Sequence, residues 1–144
     1  MKQLFIALLL VTLGTSSFAS GEEPVPAPAL QSFKNTFRSA QEVNWTGSKQ
    51  FYKVDFLFNS QYISGYYTGS GYLLALTKNI LSTQLPVILA NKLKEKYSQY
   101  WISDVVEASN EDKVTYYVTL ENADGRILLQ SNNTYWSVLR KIRK

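Results

Sequence analysis

Residues 51–58 read FYKVDFLF, and their side chains alternate between two kinds. One set is apolar throughout: Tyr52, Val54, Phe56 and Phe58. The other set mixes apolar and charged residues: Phe51, Lys53, Asp55 and Leu57. Successive side chains of a β-strand point to opposite faces of its sheet, so the alternation predicts a strand with one buried face. A sheet buried on one face only is typical of antiparallel folds.

The second half of the chain repeats this pattern at residues 114–121, which read VTYYVTLE. When residue 52 is aligned with residue 116, the inward set of the first stretch falls on a second apolar set: Tyr116, Val118 and Leu120. Ile63 then falls on Ile127. Self-similarity of this kind predicts an internal duplication.

Each half begins with a segment whose apolar residues recur three or four positions apart, the spacing of an amphipathic helix. These residues are Leu30, Phe33, Phe37 and Ala40 in the first half, and Leu85, Leu89, Leu93 and Tyr97 in the second. Strand-like segments divided by turn-forming residues follow each helix. We predict an α+β fold in which an antiparallel sheet of about eight strands packs on two helices. It is built from two α-β-β-β-β repeats, residues 29–81 and 82–144.

The first residues of the chain carry targeting signals. Lys2, the apolar run 4–13 and a small-x-small motif ending at Ala19 predict a signal peptide over residues 1–19. The run is shorter than the about 20 residues that span a bilayer. Residues 20–28 are rich in proline and predict an extended tether. We therefore expect a periplasmic or secreted protein, cleaved near Ala19, with no stable membrane insertion.

The composition excludes several function classes. The chain has no cysteine and no histidine, which removes Ser-His-Asp and Cys-His catalysis, thiol chemistry and the usual zinc, copper and haem ligand sets. A net charge of +4 is too small to indicate a nucleic-acid partner. We expect no enzyme, no cofactor and no metal, and a partner that is an envelope or extracellular protein.

Four segments resemble the PepSY-like, β-lactamase-inhibitor-like exported proteins. They read SFKNTFRSAQEVNW (32–45), FYKVDFLF (51–58), LPVILANKLKEKY (85–97) and YYVTLENADGRILL (116–129). The matching features are an A-x-x-V-x-W step, a Y-x-V-x-F strand and a glycine before the closing strand: Ala40, Val43 and Trp45; Tyr52, Val54 and Phe56; and Gly71. The first helix lacks the Leu-Pro opening of that pattern, and Asn132-Asn133-Thr134 replaces a glycine turn. The resemblance implies a curved antiparallel sheet whose concave face binds a protein, with no catalytic residue to carry over.

The alternation places Tyr67 in the core and a set of aromatic and charged residues on the accessible face. The residues predicted to bind a protein there are Phe51, Lys53, Tyr62, Tyr66 and Tyr117. Tyrosines with an accessible polar tip are enriched in binding hot spots. The alternative is that these aromatics only stabilise the sheet through cross-strand pairs.

Three functions compete on this evidence. The leading hypothesis is a non-catalytic module that binds a protein, with inhibition as one outcome. The second is a carrier of a small apolar or aromatic ligand between sheet and helices, in a cavity lined by Trp45, Tyr67 and Trp101. The third is a hydrolase that uses the strand carboxylates Asp55 and Glu121, which would have to lie about 5–9.5 Å apart for glycoside chemistry.

Overall fold

The computed structural model describes residues 24–144. The predicted signal peptide, residues 1–19, and the start of the predicted tether lie outside the described residues. An eight-stranded open sheet holds its strands in chain order, from β1 to β8, with α-helices ahead of β1 and β5. The predicted α+β fold is therefore confirmed. Within residues 24–144, no helix combines the length and the apolar character needed to cross a membrane.

The chain separates into two compact units, close to the predicted boundary between the repeats. The first unit ends at Lys78 and contains α1 (Ala27–Thr36), β1 (Gln41–Gly47), β2 (Tyr52–Phe58), β3 (Gln61–Tyr67) and most of β4 (Leu73–Asn79). The second unit spans Asn79–Lys144 and contains a 3₁₀ turn (Ser82–Gln84), α2 (Val87–Lys96), β5 (Trp101–Ser109), β6 (Val114–Asn122), β7 (Gly125–Asn132) and β8 (Tyr135–Arg143).

Both helices open with proline. Pro26 occupies the N-cap of α1, and Pro86 occupies the N-cap of α2. Proline is tolerated at this end because the first amide groups of a helix have no partner within it. As a result α1 begins at Ala27, so Ala27 and Pro28, predicted as the end of the tether, belong to the helix.

Aromatic side chains fill the core of the first unit. Phe33 of α1 contacts the rings of Trp45 on β1 and Phe56 on β2, with centroid distances of 5.5 and 4.9 Å. Phe37, one helical turn later, lies 4.8 Å from Phe56. Tyr67 is fully buried, which confirms its predicted place in the core.

Aliphatic side chains fill the core of the second unit. Its buried residues are Leu85, Leu93, Val105, Val118, Leu120, Ile127 and Leu129. Trp136 on β8 joins the sheet to the helix, because its indole Nε1 donates a hydrogen bond of 2.9 Å to the carbonyl oxygen of Leu89. The two repeats thus share a topology and differ in the size of the residues that fill it.

The turn at Asn133 explains one departure from the family pattern. Asn133 has a φ of 55°, in the left-handed region where glycine would be expected. Asparagine enters this region more readily than most residues because its short polar side chain can hydrogen-bond locally. The β7–β8 turn therefore forms without a glycine.

Candidate protein-binding face

The face of the first unit's sheet opposite α1 is here called the distal face. Its residues follow from the register, which pairs Lys53 with Tyr66, Asp55 with Ser64 and Leu57 with Tyr62. On the next strand, Tyr66 pairs with Ala75 and Ser64 with Thr77. The alternate residues of β2, Val54 and Phe56, pack against α1 on the other face.

A charged group is fixed on the distal face. The carboxylate of Asp55 accepts a hydrogen bond from the hydroxyl of Ser64 and forms an ion pair with Lys53, with Nζ 3.1 Å from Oδ1. The Lys53 and Asp55 side chains remain 24% and 43% exposed. Both charges therefore have a defined geometry and remain accessible to a partner.

Tyr66 lies next to this charged group and supports Phe51. The two rings are 5.8 Å apart and meet edge to face at 63°. Tyr66 is only 2% exposed, so the prediction that it forms part of an exposed patch is wrong. Its ring contacts that of Phe51, and its register partner on β4 is the small residue Ala75. Burial raises the pKa of Tyr66, and a side-chain hydrogen bond with Thr77 offsets only part of the rise.

Tyr62 points outward, as predicted, and is 67% exposed. Its hydroxyl donates a hydrogen bond of 2.9 Å to Oε2 of Glu42. This hydrogen bond, together with the charge of Glu42, raises the pKa of Tyr62. Glu42 has a φ of 51° and lies within the β1 bulge, between Gln41 and Asn44. The bulge changes the direction of the strand locally and brings the Glu42 carboxylate within hydrogen-bonding distance of Tyr62.

Tyr117 belongs to the second unit and is 2% exposed, so its predicted exposure is also wrong. It pairs in register with Val106 and Gln130, and the neighbouring Ala108 and Thr115 are buried as well. Burial raises the pKa of Tyr117 to about 12. Four of the five predicted binding residues therefore belong to the first unit, on β2, on β3 or in the turn before β2: Phe51, Lys53, Tyr62 and Tyr66. The fifth, Tyr117, packs within the second unit.

The aromatic residues predicted to line one ligand cavity do not share one: Trp45 lines a groove of about 440 Å³ beside α1, and neither Tyr67 nor Trp101 lines that groove. Trp45 and Tyr67 pack against each other, 5.8 Å apart, in the first unit's core. Trp101 is 53% exposed in the second unit, where the Lys144 amine lies 5.7 Å from the centre of its ring. The cavity predicted from these three residues is therefore not formed by them.

The two strand carboxylates are each engaged within their own unit. Asp55 interacts with Lys53 and Ser64, and Glu121 forms an ion pair with Arg126. Across residues 24–144, no group of three or more Asp, Glu, His or Cys side chains is arranged to hold a metal ion.

A pocket of about 580 Å³ lies between α2 and the sheet of the second unit, where the carrier hypothesis expects a cavity, but Trp45, Tyr67 and Trp101 do not line it. Part of its signal is in the repeat alignment, where two pocket-lining residues of α2 are smaller than their counterparts in α1. Ala90 stands where the first repeat has Leu30, and Leu93 where it has Phe33. Reading the alignment for side-chain size, as well as for polarity, would have indicated the pocket.

The geometry defines a class of protein: a duplicated α+β domain in which each unit packs a helix against its own strands, and in which the first unit carries an aromatic and charged cluster on the sheet face opposite α1. Solved structures share this fold. A BLIP-like protein from Bacteroides fragilis is 18% identical, with a TM-score of 0.70, and the alignment covers 85% of this chain and 89% of that one. The predicted resemblance to β-lactamase-inhibitor-like proteins is therefore confirmed at the level of the fold.

Two further structures agree with this assignment. A candidate periplasmic protein from Bacteroides eggerthii has a TM-score of 0.73 at 13% identity, covering 84% of this chain and 90% of that one. A DUF2874 family protein from Bacteroides ovatus has a TM-score of 0.72 at 16% identity, covering 85% and 89%. No protein-family model and no curated protein matches the sequence.

Proposed function

We propose that this chain is a non-catalytic, exported binding module that recognises a protein through the distal face of its first unit. One observation carries the proposal: the Asp55 carboxylate, held by Lys53 and Ser64, lies next to the Phe51–Tyr66 ring pair on the sheet face opposite α1. The likeness to a BLIP-like protein supports inhibition of the partner as the outcome of binding.

The cluster has the properties of a binding hot spot. Hot spots combine aromatic anchors with charged groups whose positions are fixed before binding, because fixed groups lose less conformational entropy on association. The buried ring of Tyr66 contacts the partly buried ring of Phe51, and the Ser64 hydroxyl donates a hydrogen bond to Asp55. Tyr62, tied to Glu42, adds an exposed aromatic ring on the same face.

Export places the partner outside the cytoplasm. The predicted signal peptide and the candidate periplasmic protein among the structural neighbours support a periplasmic or secreted location. Mass spectrometry of the protein recovered from the cell envelope and the medium tests this step. The expected mass is that of a chain beginning at Ser20, whereas an uncleaved chain in the cytoplasm would contradict export.

Site-specific photo-crosslinking in cells tests the binding face. A benzophenone amino acid replaces Tyr62, which is 67% exposed on the distal face, and in a matched control it replaces Ile88, which is 55% exposed on α2. We expect an adduct with one protein from position 62 and none with that protein from position 88. Equal adducts at both positions, or no adduct at 62, would contradict the proposal.

Binding of the purified partner then tests the cluster itself. Truncation of a hot-spot residue costs about 2 kcal/mol or more, so Phe51→Ala combined with Lys53→Ala should weaken binding by more than about tenfold. Lys92→Ala on the exposed side of α2 serves as the control and should leave Kd unchanged. Thermal denaturation of each variant checks that the fold is retained.

A further inference from the structure

The pocket of the second unit lies between α2, the 3₁₀ turn and strands β5 and β6. It has a volume of about 580 Å³. Its floor consists of buried leucines that belong to the unit's core: Leu85, Leu93 and Leu120. Pockets that hold small molecules have volumes of about 300–1,000 Å³ and mostly apolar walls, so this pocket has suitable dimensions for one.

The first repeat shows how the pocket arises. The first unit has a groove at the equivalent place beside α1, of about 440 Å³, lined among others by Leu30, Phe33 and Trp45. The second repeat has Ala90, Leu93 and Val105 at those positions. Both helices have the same length, ten residues, so the smaller side chains at these three positions leave more space beside α2 than beside α1.

Two tyrosines form a fixed aromatic wall at the rim. The rings of Tyr97 and Tyr100 are 6.0 Å apart and meet edge to face at 77°. The amide of Tyr100 donates a hydrogen bond of 3.0 Å to the carbonyl of Tyr97, and the Lys96 amine lies 5.8 Å from the Tyr97 ring centre. The first repeat has Ala40 in place of Tyr100, so this wall belongs to the second repeat alone. Rigid aromatic surfaces favour contact with flat apolar groups.

The charged and polar residues at the rim of the pocket indicate which kind of ligand the pocket would bind. Among the described residues that line the pocket, Lys94 is the only cation and none is acidic. Hydroxyl and amide groups of Ser82, Thr83, Ser98 and Asn91 complete the polar part of the lining. A lysine beside hydroxyl donors provides charge-assisted hydrogen bonds to a carboxylate or sulfonate.

We propose that this pocket binds a small amphiphilic anion, with a ring-bearing apolar body against the leucine floor and the tyrosine wall and its anionic group at Lys94. The binding site is separate from the distal face of the first unit and does not depend on the protein partner proposed above.

Fluorescence titration of the purified mature chain with anilinonaphthalene sulfonate tests the proposal, since this probe joins two aromatic groups to one anion. We expect saturable binding of one probe per chain under conditions where the protein is fully folded. Ala90→Phe fills the pocket and should weaken binding by about tenfold, the effect of losing about 1.4 kcal/mol. Lys94→Gln should weaken it by about threefold to fivefold, as for a solvent-accessible ion pair.

Matched controls separate the pocket from nonspecific binding. Lys34→Gln changes the equivalent lysine in the first unit's groove and should leave the affinity unchanged. The uncharged analogue N-phenylnaphthylamine should respond to Ala90→Phe and be insensitive to Lys94→Gln. If Ala90→Phe unfolds the chain, the test is the effect of Lys94→Gln on the two probes: it should weaken binding of the anionic probe and leave binding of the uncharged probe unchanged. Absence of saturable binding, or equal effects of Lys34→Gln and Lys94→Gln, would overturn the proposal.

Discussion

The two units of this protein follow the same order of a helix and strands, yet their interiors differ in kind. The core beside α1 in the first is formed mainly by Phe33, Phe37, Phe56 and Tyr67, whereas the buried residues of the core beside α2 in the second are aliphatic. The order of apolar and polar residues is the same in both, and so is the topology. Apolar patterning therefore specifies the architecture, and side-chain volume sets the size of the groove beside each helix, about 440 Å³ at α1 and about 580 Å³ at α2.

The distal face of the first unit and its counterpart in the second differ as well. In the first unit, Lys53 pairs across strands with Tyr66, and the lysine remains partly exposed. In the second, Tyr117 pairs with Gln130 and the tyrosine is buried. The comparison indicates a division of roles between the repeats: the first presents a charged and aromatic surface, and the second an internal pocket.

The largest expected effect is at the centre of the aromatic core. Phe56 contacts Phe33 and Phe37 and is 1% exposed, so Phe56→Ala should lower the free energy of unfolding by about 3–5 kcal/mol. The aligned change, Leu120→Ala, removes a residue that already borders the pocket, so its loss should fall near the lower end of about 2–5 kcal/mol.

Urea denaturation measures both changes, with Trp45 reporting on the first unit and Trp101 and Trp136 on the second. Equal losses for Phe56→Ala and Leu120→Ala would contradict the difference in packing between the two cores.

The second effect concerns the β3–β4 turn. Gly71 has a φ of 90°, and a Cβ there would lie 2.5 Å from the carbonyl oxygen of Pro28. Gly71→Ala should therefore cost about 1–3 kcal/mol, the usual range for a strained backbone conformation. Gly69→Ala is the matched control, because its Cβ would meet side-chain atoms only at 3.6 Å or more. Thermal denaturation measures both variants. Equal melting temperatures for Gly71→Ala and Gly69→Ala would contradict the predicted strain at position 71.

A third effect is the response to alkaline pH. Burial raises the pKa of Tyr67 and of Tyr117 to about 12, from a reference value of 10.0. The folded state therefore favours the protonated phenol. The stability from these groups is complete below about pH 10 and is lost as the pH rises toward 12. The urea midpoint of the wild type should fall between pH 9 and about pH 12, and Tyr67→Phe and Tyr117→Phe should each make this fall smaller.

Tyr67→Phe should also raise stability near neutral pH. The Tyr67 hydroxyl is the buried side-chain polar atom that has no hydrogen-bond partner within residues 24–144. Leaving such a group unpaired costs about 1–3 kcal/mol, and removing it recovers part of that cost. Tyr62→Phe on the exposed surface serves as the comparison. It should change the free energy of unfolding near neutral pH, and its loss at alkaline pH, by no more than about 0.5 kcal/mol each. A destabilised Tyr67→Phe variant would point to a hydrogen bond made by this hydroxyl.

The smallest effect compares the two equivalent hairpin turns. In the first repeat, the Ser48 hydroxyl donates a hydrogen bond of 3.0 Å to the carbonyl oxygen of Phe51 and accepts bonds of 3.2 and 3.4 Å from the amides of Phe51 and Gln50. In the second, the Asn110 side chain accepts bonds of 3.0 Å from the amides of Asp112 and Lys113. Ser48→Ala and Asn110→Ala should each cost about 0.5–1.5 kcal/mol, with the larger loss at Asn110, because the two bonds that it accepts are shorter than the two that Ser48 accepts. Denaturation midpoints of the two variants are measured in parallel. A larger loss of stability for Ser48→Ala than for Asn110→Ala would contradict this prediction.

Much of the fold followed from the sequence because strand alternation is a local property. The alternation in β2 and β3 correctly predicted that Phe56 would be buried and that Tyr62 would point outward. Alternation gives the direction of a side chain and not its depth. Tyr66 and Tyr117 were predicted to be exposed and are buried.

The lining residues of the second unit's pocket were missed for a related reason. Its walls combine residues far apart in sequence, such as Ser82, Tyr100 and Leu120. Whether space remains between them depends on summed side-chain volumes across several elements, which a pattern of apolar and polar residues does not contain.

Hydrogen exchange of the full mature chain, followed by mass spectrometry, tests the division of roles most directly. The chain is measured alone, with anilinonaphthalene sulfonate, and with the protein captured at position 62. We predict that the probe slows exchange in residues 82–102 and leaves 51–66 unchanged, and that the captured protein does the reverse. Protection of the same unit by both ligands, or protection of α1 or α2 by the captured protein, would contradict the account.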